Sequence, residues 1–340
     1  MSITLLNTAS YTNVAGGADF FDKFRTFAVT TCGWTDVNTQ TDKYWGNTGG
    51  GVYGWINTTP ALWEDYLAIS SVGYGAQTMR FEFRRRPFDA TRDRFYICPI
   101  NPNFTAISTA SSTHPVKQTN RCWQVSVGDD YTEANMPNVG YGNYTACHFF
   151  GNSKFIAVIN QYTTGVNVIW GIGTPELYPE LQSRTDLWQH WYCHQHSADT
   201  ANYWWDVIST NTTYWWNGLA HLSSDAGNGY NVWLENDKRL NDHVRYSIGT
   251  DKNTEPEGAF ENLKYLVKFN GFSNKRTIIQ PRVYYKTVGG TFWPAGTMPF
   301  GYTTFSGLAI GEEIDVGGET FKVFPTLLGS YNYGLAFRVA

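Results

Sequence analysis

The segment Met79-Arg-Phe-Glu-Phe-Arg84 alternates apolar and charged residues without interruption. Successive side chains of a β-strand point to opposite faces, so this period predicts a strand with one apolar and one charged face. We expect neighbouring strands over residues 63–69 and 94–100. The nearby arginines, above all Arg84-Arg-Arg86, are interpreted as a solvated strand edge, since charge on an edge blocks unwanted strand pairing.

A second strand signal is nearly continuous rather than alternating. The run Lys154-Phe-Ile-Ala-Val-Ile159 is followed by a turn at Tyr162-Thr-Thr-Gly165 and by Val166-Asn-Val-Ile-Trp-Gly-Ile172. Apolar side chains at consecutive positions indicate a strand that is covered on both faces. The sequence therefore predicts a hairpin at the centre of a layered structure.

The C-terminal part repeats these strand signals. Residues 278–285 suggest one strand that Pro281 interrupts, and residues 311–325 suggest a hairpin with Gly317-Gly318 at its turn. Residues 331–339 supply a further strand that would close the sheet.

One helix is predicted near the N-terminus, over residues 16–32. Phe20, Phe24 and Phe27 recur at i, i+4 and i+7 and so form one apolar stripe. Gly33 ends the helix, and Trp34 can fold back onto it. We expect this stripe and Trp34 to pack against a sheet.

The composition agrees with a mainly β fold. Aromatic residues make up 17% of the 340 residues, and charged residues make up only 16%, against about 25% in ordinary globular proteins. We predict an antiparallel β-sandwich of lectin-like or jelly-roll-like form with an N-terminal helix, plus a small C-terminal β domain. The expected units are an arm and helix (1–34), an aromatic-rich sandwich (35–254) with a Trp-rich insertion near 175–245, and the C-terminal domain (255–340).

Charge, hydropathy and cysteine usage argue against several classes of protein. The net charge is −4 and no basic block dominates, so nucleic acid is not an expected partner. No apolar run approaches the length of a membrane span, and the first residues lack the pattern of a secretory signal. Five scattered cysteines predict no disulfide framework and indicate folding in a reducing cytoplasm.

Catalytic signatures are absent from the sequence, and we predict neither an enzyme nor a cofactor. The triple glycine Gly49-Gly-Gly51 lacks the Lys-Ser/Thr of a phosphate loop and is explained as a tight turn. In His190-Trp-Tyr-Cys-His194-Gln-His196, a strand would place His194 and His196 on one face and Cys193 on the other. Zinc needs four converging ligands, and no second Cys/His pair appears. Polar surface histidines are favoured, and metal binding by His190, Cys193, His194 and His196 remains the alternative.

Carbohydrate chemistry is a further hypothesis, because tryptophans and carboxylates crowd into residues 175–245. A hydrolase would use Asp206 and Glu235, whose carboxyl groups would have to lie about 5–5.5 Å or about 6.5–9.5 Å apart. Glycan binding without cleavage is favoured over hydrolysis, and an inter-subunit interface would use the same aromatic residues. The candidate glycan or interface contacts are Trp191, Trp204, Trp205, Trp215, Trp216 and Trp233.

Four segments between residues 24 and 179 form a combined pattern. A helix runs into Gly-Trp-Thr in Phe24-Arg-Thr-Phe-Ala-Val-Thr-Thr-Cys-Gly-Trp-Thr35, and a strand follows at Tyr66-Leu-Ala-Ile69. An aromatic pair precedes a polar turn and an apolar strand in His148-Phe-Phe-Gly-Asn-Ser-Lys-Phe-Ile-Ala-Val-Ile159. A strand with an aromatic-glycine step then leads to a proline exit in Trp170-Gly-Ile-Gly-Thr-Pro-Glu-Leu-Tyr-Pro179.

The end of the chain carries the most specific part of the pattern. It consists of Ser306-Gly-Leu-Ala-Ile-Gly-Glu-Glu-Ile-Asp-Val-Gly-Gly-Glu-Thr-Phe-Lys-Val-Phe-Pro-Thr326 and the final Tyr333-Gly-Leu-Ala-Phe-Arg-Val-Ala340. Together, over about residues 15–180 and 275–340, these segments resemble structural proteins of tailed-bacteriophage virions that contain a lectin-like sandwich. The Trp-rich middle departs from that pattern.

The resemblance implies a component of the tail, baseplate or neck/collar, present in several symmetric copies and so homo-oligomeric. Its partners would be other virion proteins, and a host-surface glycan is a further candidate partner. The protein would be assembled into the virion in the host cytoplasm. The alternatives are a glycan-binding or receptor-binding adhesin module of a phage fibre and, third, a polysaccharide hydrolase.

Overall fold

The computed structural model describes residues 3–12, 14, 17–57, 64–76, 78–87, 93–100, 144–162, 165–183, 191–196, 231–234, 276–280, 282–286, 292–325 and 333–340. Within these ranges the strands pair antiparallel in four sheets, and the mainly β class with a helix near the N-terminus is as predicted. The strands are β1 Asn7–Tyr11, β2 Thr35–Gly49, β3 Val52–Asn57, β4 Glu64–Val72, β5 Thr78–Pro87, β6 Asp93–Ile100, β7 Tyr144–Gly151, β8 Phe155–Tyr162, β9 Gly165–Gly173, β10 Glu176–Leu177, β11 Trp191–His196, β12 Asn231–Leu234, β13 Arg282–Lys286, β14 Phe292–Thr297, β15 Gly301–Thr304, β16 Glu312–Val316, β17 Glu319–Pro325 and β18 Tyr333–Arg338. The helices are α1 Gly17–Thr26 and the single turn α2 Pro179–Gln182.

The first sheet, here called the N-terminal sheet, has the strand order β3-β2-β4-β5-β6. The alternating segment lies in β5, between the two neighbours predicted for it. Met79, Phe81 and Phe83 are fully buried on one face, where Leu67 and Ile69 of β4 join them. The alternation thus identified the apolar face of this sheet correctly.

The interpretation of the arginines as a solvated strand edge is wrong for Arg85. Strand β5 lies inside the sheet, and Arg85 is only 5% exposed. Its register partner on β4 is Asp65, and the Arg85 Nε donates to Asp65 Oδ2 over 2.6 Å. Both residues continue the inward-facing rows of their strands, so their charges are buried as a pair.

The second sheet, here called the middle sheet, has the order β1-β7-β8-β9-β11. Strands β8 and β9 form the predicted hairpin, with Tyr162 opposite Gly165 beside the turn. Val158 and Ile159 are both fully buried although they point to opposite faces, so the prediction of two covered faces is confirmed.

Helix α1 fills the space between the N-terminal and middle sheets. The Phe24 ring lies 4.9 Å from the Phe83 ring and 5.0 Å from the Trp170 ring, and so contacts both sheets. The helix continues into one π-helical turn and ends at Gly33, which has a φ of 75°. The backbone N–H of Trp34 then donates to the Ala28 carbonyl over 3.0 Å, and Trp34 is buried in the same apolar cluster as Phe24. Trp34 therefore folds back onto the helix, as predicted.

The third sheet, here called the C-terminal sheet, packs on the opposite face of the middle sheet. Its order is β15-β18-β17-β16, and Gly317-Gly318 forms the predicted turn between β16 and β17. Phe150 of the middle sheet stacks on Phe337 of β18 with ring centroids 4.4 Å apart. The N-terminal, middle and C-terminal sheets therefore form three successive layers.

The fourth sheet has the order β10-β14-β13-β12. It joins Glu176–Leu177 and Asn231–Leu234 to two strands from the last 60 residues of the chain, so it takes strands from both sides of position 254. The proposed domain boundaries stay a prediction. Among the described residues, Cys32 and Cys147 are free, buried thiols.

Candidate interaction surface

Strands β2 and β3 extend the N-terminal sheet as a two-stranded ribbon. Among the described strands, β2 pairs with β4 from Thr35 to Lys43, and its remaining residues, as far as Gly49, pair with β3 alone. We call residues 43–57 the hairpin arm. No described strand lies beside the outer edge of β3, so its outward N–H and C=O groups have no described ladder partner.

The hairpin arm is uncharged beyond its base. No ionisable side chain other than tyrosine occurs between positions 44 and 57, and Trp45 lies directly opposite Trp55 in the ladder. Gly49, Gly50 and Gly51 all have positive φ, which glycine adopts without steric cost, and so form the predicted tight turn. Val52, next to that turn, is 49% exposed. An uncharged ribbon of this kind is suited to contact with another β surface.

The edge strands of the described sheets differ in how they resist strand addition. Strand β6 carries Asp93, Arg94 and Pro99, and β16 has three acidic residues among its five. Strands β1, β10, β12 and β15 have five residues or fewer. Charge, proline and shortness are the means by which proteins protect sheet edges. Strands β3 and β11 have six residues each and contain neither a charged residue nor a proline.

A polar cluster lies on the opposite face of the N-terminal sheet from α1. Arg80 Nη2 donates to Glu82 Oε1 over 2.8 Å, and Tyr66 lies beside this pair. Glu82 and Tyr66 are fully buried, so burial raises the pKa of both groups, although Arg80 opposes the shift. On β2 of the same face, Gln40 Nε2 donates to Asn38 Oδ1 over 2.8 Å. Because Tyr66 and Glu82 are fully buried, these groups form a covered polar layer on this face of the sheet and not an open ligand site.

His148 lies between the middle and C-terminal sheets. Its Nδ1 is 2.9 Å from Ser10 Oγ, its Nε2 is 3.3 Å from Gln161 Oε1, and its ring is 4.8 Å from the Phe324 ring. A neutral imidazole satisfies both contacts if Nε2–H donates to Gln161 and Nδ1 accepts from Ser10. Burial lowers the pKa of His148, Gln161 opposes this, and Lys322 lowers it further.

Glu176 joins the N-terminal segment to the fourth sheet. Its carboxylate accepts hydrogen bonds from Thr4 Oγ1, from Gln280 Nε2 over 2.9 Å and from Thr297 Oγ1 over 3.4 Å. Burial raises the pKa of Glu176, and these donors oppose the shift. The donors come from separate parts of the chain, which indicates a structural junction.

The structure places two of the six candidate tryptophans. Trp191 is the first residue of β11, and Trp233 lies in β12, opposite Tyr284. They belong to edge strands of two different sheets. Trp204, Trp205, Trp215 and Trp216 lie outside the described residues, so the proposed glycan or interface contacts stay a prediction.

The histidine cluster lies partly in β11. His194 and His196 occupy alternate positions of this strand, with Gln195 between them and Cys193 directly before. His190, Asp206 and Glu235 lie outside the described residues. Within the described ranges no three His, Cys, Asp or Glu side chains converge as metal ligands, and the metal and hydrolase hypotheses stay untested.

The sequence around the triple glycine contains a signal for the whole hairpin arm. The triple glycine alone indicated a turn, but the aromatic residues on both sides of it and the lack of charge from position 44 to 57 mark a complete ribbon. Its extension past the neighbouring strand depends on where β4 begins, which the local pattern does not give.

No helix in the described part of the chain is long and apolar enough to cross a membrane. No model of a known protein family matches the sequence. The comparison with curated proteins found no significant match.

Proposed function

We propose that this protein is a structural component of a bacteriophage virion, in the tail, baseplate or neck/collar, and acts through protein–protein interfaces. The observation that carries the proposal is the hairpin arm, an uncharged aromatic ribbon whose outer edge is not paired with any strand in the described part of the chain. The resemblance of the flanking segments to tailed-phage virion proteins is the reason for proposing a virion location.

The physical argument concerns the stability of the arm. A two-stranded hairpin by itself is marginally stable in water, and an edge without charge or proline readily accepts another strand. A neighbouring protein that covers the arm would stabilise the hairpin and occupy its outer edge. Persistent contacts of this kind are what a protein in an assembled particle requires, whereas a freely diffusing monomer would gain from a protected edge.

The direct test is quantitative mass spectrometry of gradient-purified particles from a phage that encodes this chain. We expect the protein in a fixed ratio to other tail proteins. Val52→Lys, which places a charge on the arm, should reduce its incorporation, and the matched change Val72→Lys at another exposed valine should not. Particles that are infectious but lack the protein would refute the proposal.

Glycan binding is the second candidate function, and the tryptophans that crowd into residues 175–245 of the sequence favour it, because aromatic side chains are enriched where proteins recognise partners. On a glycan array, binding that disappears in Trp204→Ala or Trp215→Ala would support recognition by this segment. Binding that both variants retain would contradict it.

A further inference from the structure

We propose that β3 pairs antiparallel with β3 of a second copy of this chain, so that two N-terminal sheets join across a twofold axis. This inference deepens the proposed assembly function and rests on it, because it names the partner of the hairpin arm. The binding element is the outer edge of Val52–Asn57.

An uncharged strand suits this edge best as a partner. Residues 44–57 offer no charge that would select an oppositely charged peptide, and nothing basic that would hold a nucleic acid. For the same reason, two copies of the edge do not repel each other. Backbone hydrogen bonds then supply the attraction, as in other cases of strand addition.

Symmetry favours a copy of the same strand. Two identical strands that pair antiparallel are related by a twofold axis, and such an interface closes after two subunits. Strand β11, the other described edge strand without charge, proline or shortness to protect it, is a different surface. Pairing of β3 with β11 of the next copy would be head-to-tail and would not close in this way.

The composition of β3 also favours one register. With the axis at Gly54, Tyr53 of each copy lies opposite the partner's Trp55, and Gly54 lies opposite itself. Cross-strand aromatic pairs stabilise antiparallel sheets. Because Trp45 is already opposite Trp55 within the arm, this register extends an aromatic row across both ribbons. The residue without a side chain stands at the axis, where the two backbones approach each other.

A cysteine scan of the full chain tests this register. Under mild oxidation, Gly54→Cys should give a disulfide-linked dimer of about 77 kDa, twice the mass of the 38.5 kDa chain. When the Tyr53→Cys variant is mixed with the Trp55→Cys variant, the two cysteines should lie opposite each other and give the same product. The Trp55→Cys variant alone should cross-link far less, because its cysteine lies opposite a tyrosine. The unsubstituted protein with its five cysteines and Val72→Cys are the controls. Cross-linking no greater than in these controls would overturn the proposed register.

Light scattering provides a second measurement that needs no new cysteine. The unsubstituted protein should be dimeric, and Val52→Lys should weaken the dimer about tenfold or more, since it places a charge on the edge. Val72→Lys should leave the dimer unchanged. A monomeric protein, or a dimer that Val52→Lys does not affect, would contradict self-pairing through β3. If either result is found and the protein still occurs in virions, the proposed function stands and only the self-pairing of β3 is refuted.

Discussion

At the scale of single residues, His148 links the stability of the protein to pH. The imidazole is 9% exposed and lies against Phe324, and burial lowers its pKa below the ordinary value of 6.5. Protonation is therefore easier in the unfolded chain than in the folded protein. The free energy of unfolding should fall as the pH drops below about 6.5 towards the lower pKa of the folded state.

Urea denaturation between pH 7.5 and pH 5 measures this effect. Lys322 adds to the cost of a positive His148, and Ser10 and Gln161, which contact the ring, are uncharged. His148→Gln removes the titrating group, so the stability gap between it and the unsubstituted protein should narrow as the pH falls. A gap that stays constant over this range would show that His148 titrates alike in both states.

The buried pair of Asp65 and Arg85 makes a different prediction. Arg85→Met leaves the Asp65 carboxylate buried without its ion-pair partner, and should lower the free energy of unfolding by about 3–5 kcal/mol. The double change Asp65→Leu with Arg85→Met should recover most of this loss, because it removes both charges of the pair. Chemical denaturation measures both variants. A double variant as unstable as the single one would mean that the pair supplies packing that apolar groups do not replace.

At the scale of elements, the end of α1 depends on Gly33. Its φ of 75° is strained for any residue with a Cβ, although a Cβ there would have open space around it. Gly33→Ala should therefore cost about 1–2 kcal/mol from backbone conformation alone. Gly33→Asn should cost less, because asparagine tolerates this conformation better. Thermal unfolding compares the two variants, and equal losses would point to a steric cause instead.

Local periodicity predicted which faces of the elements are buried. Phe20, Phe24 and Phe27 followed a helical period, and the alternation around Phe81 identified the inner face of β5. The same alternation places Arg85 on that inner face, but its charge suggested solvent. Burial there depends on Asp65, twenty residues earlier, and a local pattern does not show such a partner.

The order of the layers and the site were less predictable than the elements. Apolar residues at consecutive positions of β8 indicated two covered faces, but not that the C-terminal sheet covers one of them. Likewise, the aromatic content pointed to the Trp-rich segment as the interaction surface. The hairpin arm became a candidate only through its position at a sheet edge. Both features depend on contacts between residues that are distant in sequence.

At the scale of the whole molecule, aromatic rings pack between the C-terminal sheet and the middle sheet. Phe337 stacks on Phe150 and lies 5.8 Å from Phe300 and 6.4 Å from Phe324 between ring centroids. Phe337→Ala removes the ring that all three contact, and should lower the free energy of unfolding by about 3–5 kcal/mol. Leu5→Ala removes an apolar side chain that is 53% exposed, and should change stability by less than about 0.5 kcal/mol.

Hydrogen exchange then distinguishes two ways in which the layers can respond to Phe337→Ala. If the three layers unfold as one unit, amide protection should fall by the same factor in β5 of the N-terminal sheet and in β17 of the C-terminal sheet. We expect instead a larger loss in β17, because the C-terminal sheet has an apolar cluster of its own around Phe321, Val323 and Ala336. That cluster can open while α1 and the first two sheets stay packed. Equal loss in both strands would show that the layers are a single cooperative unit.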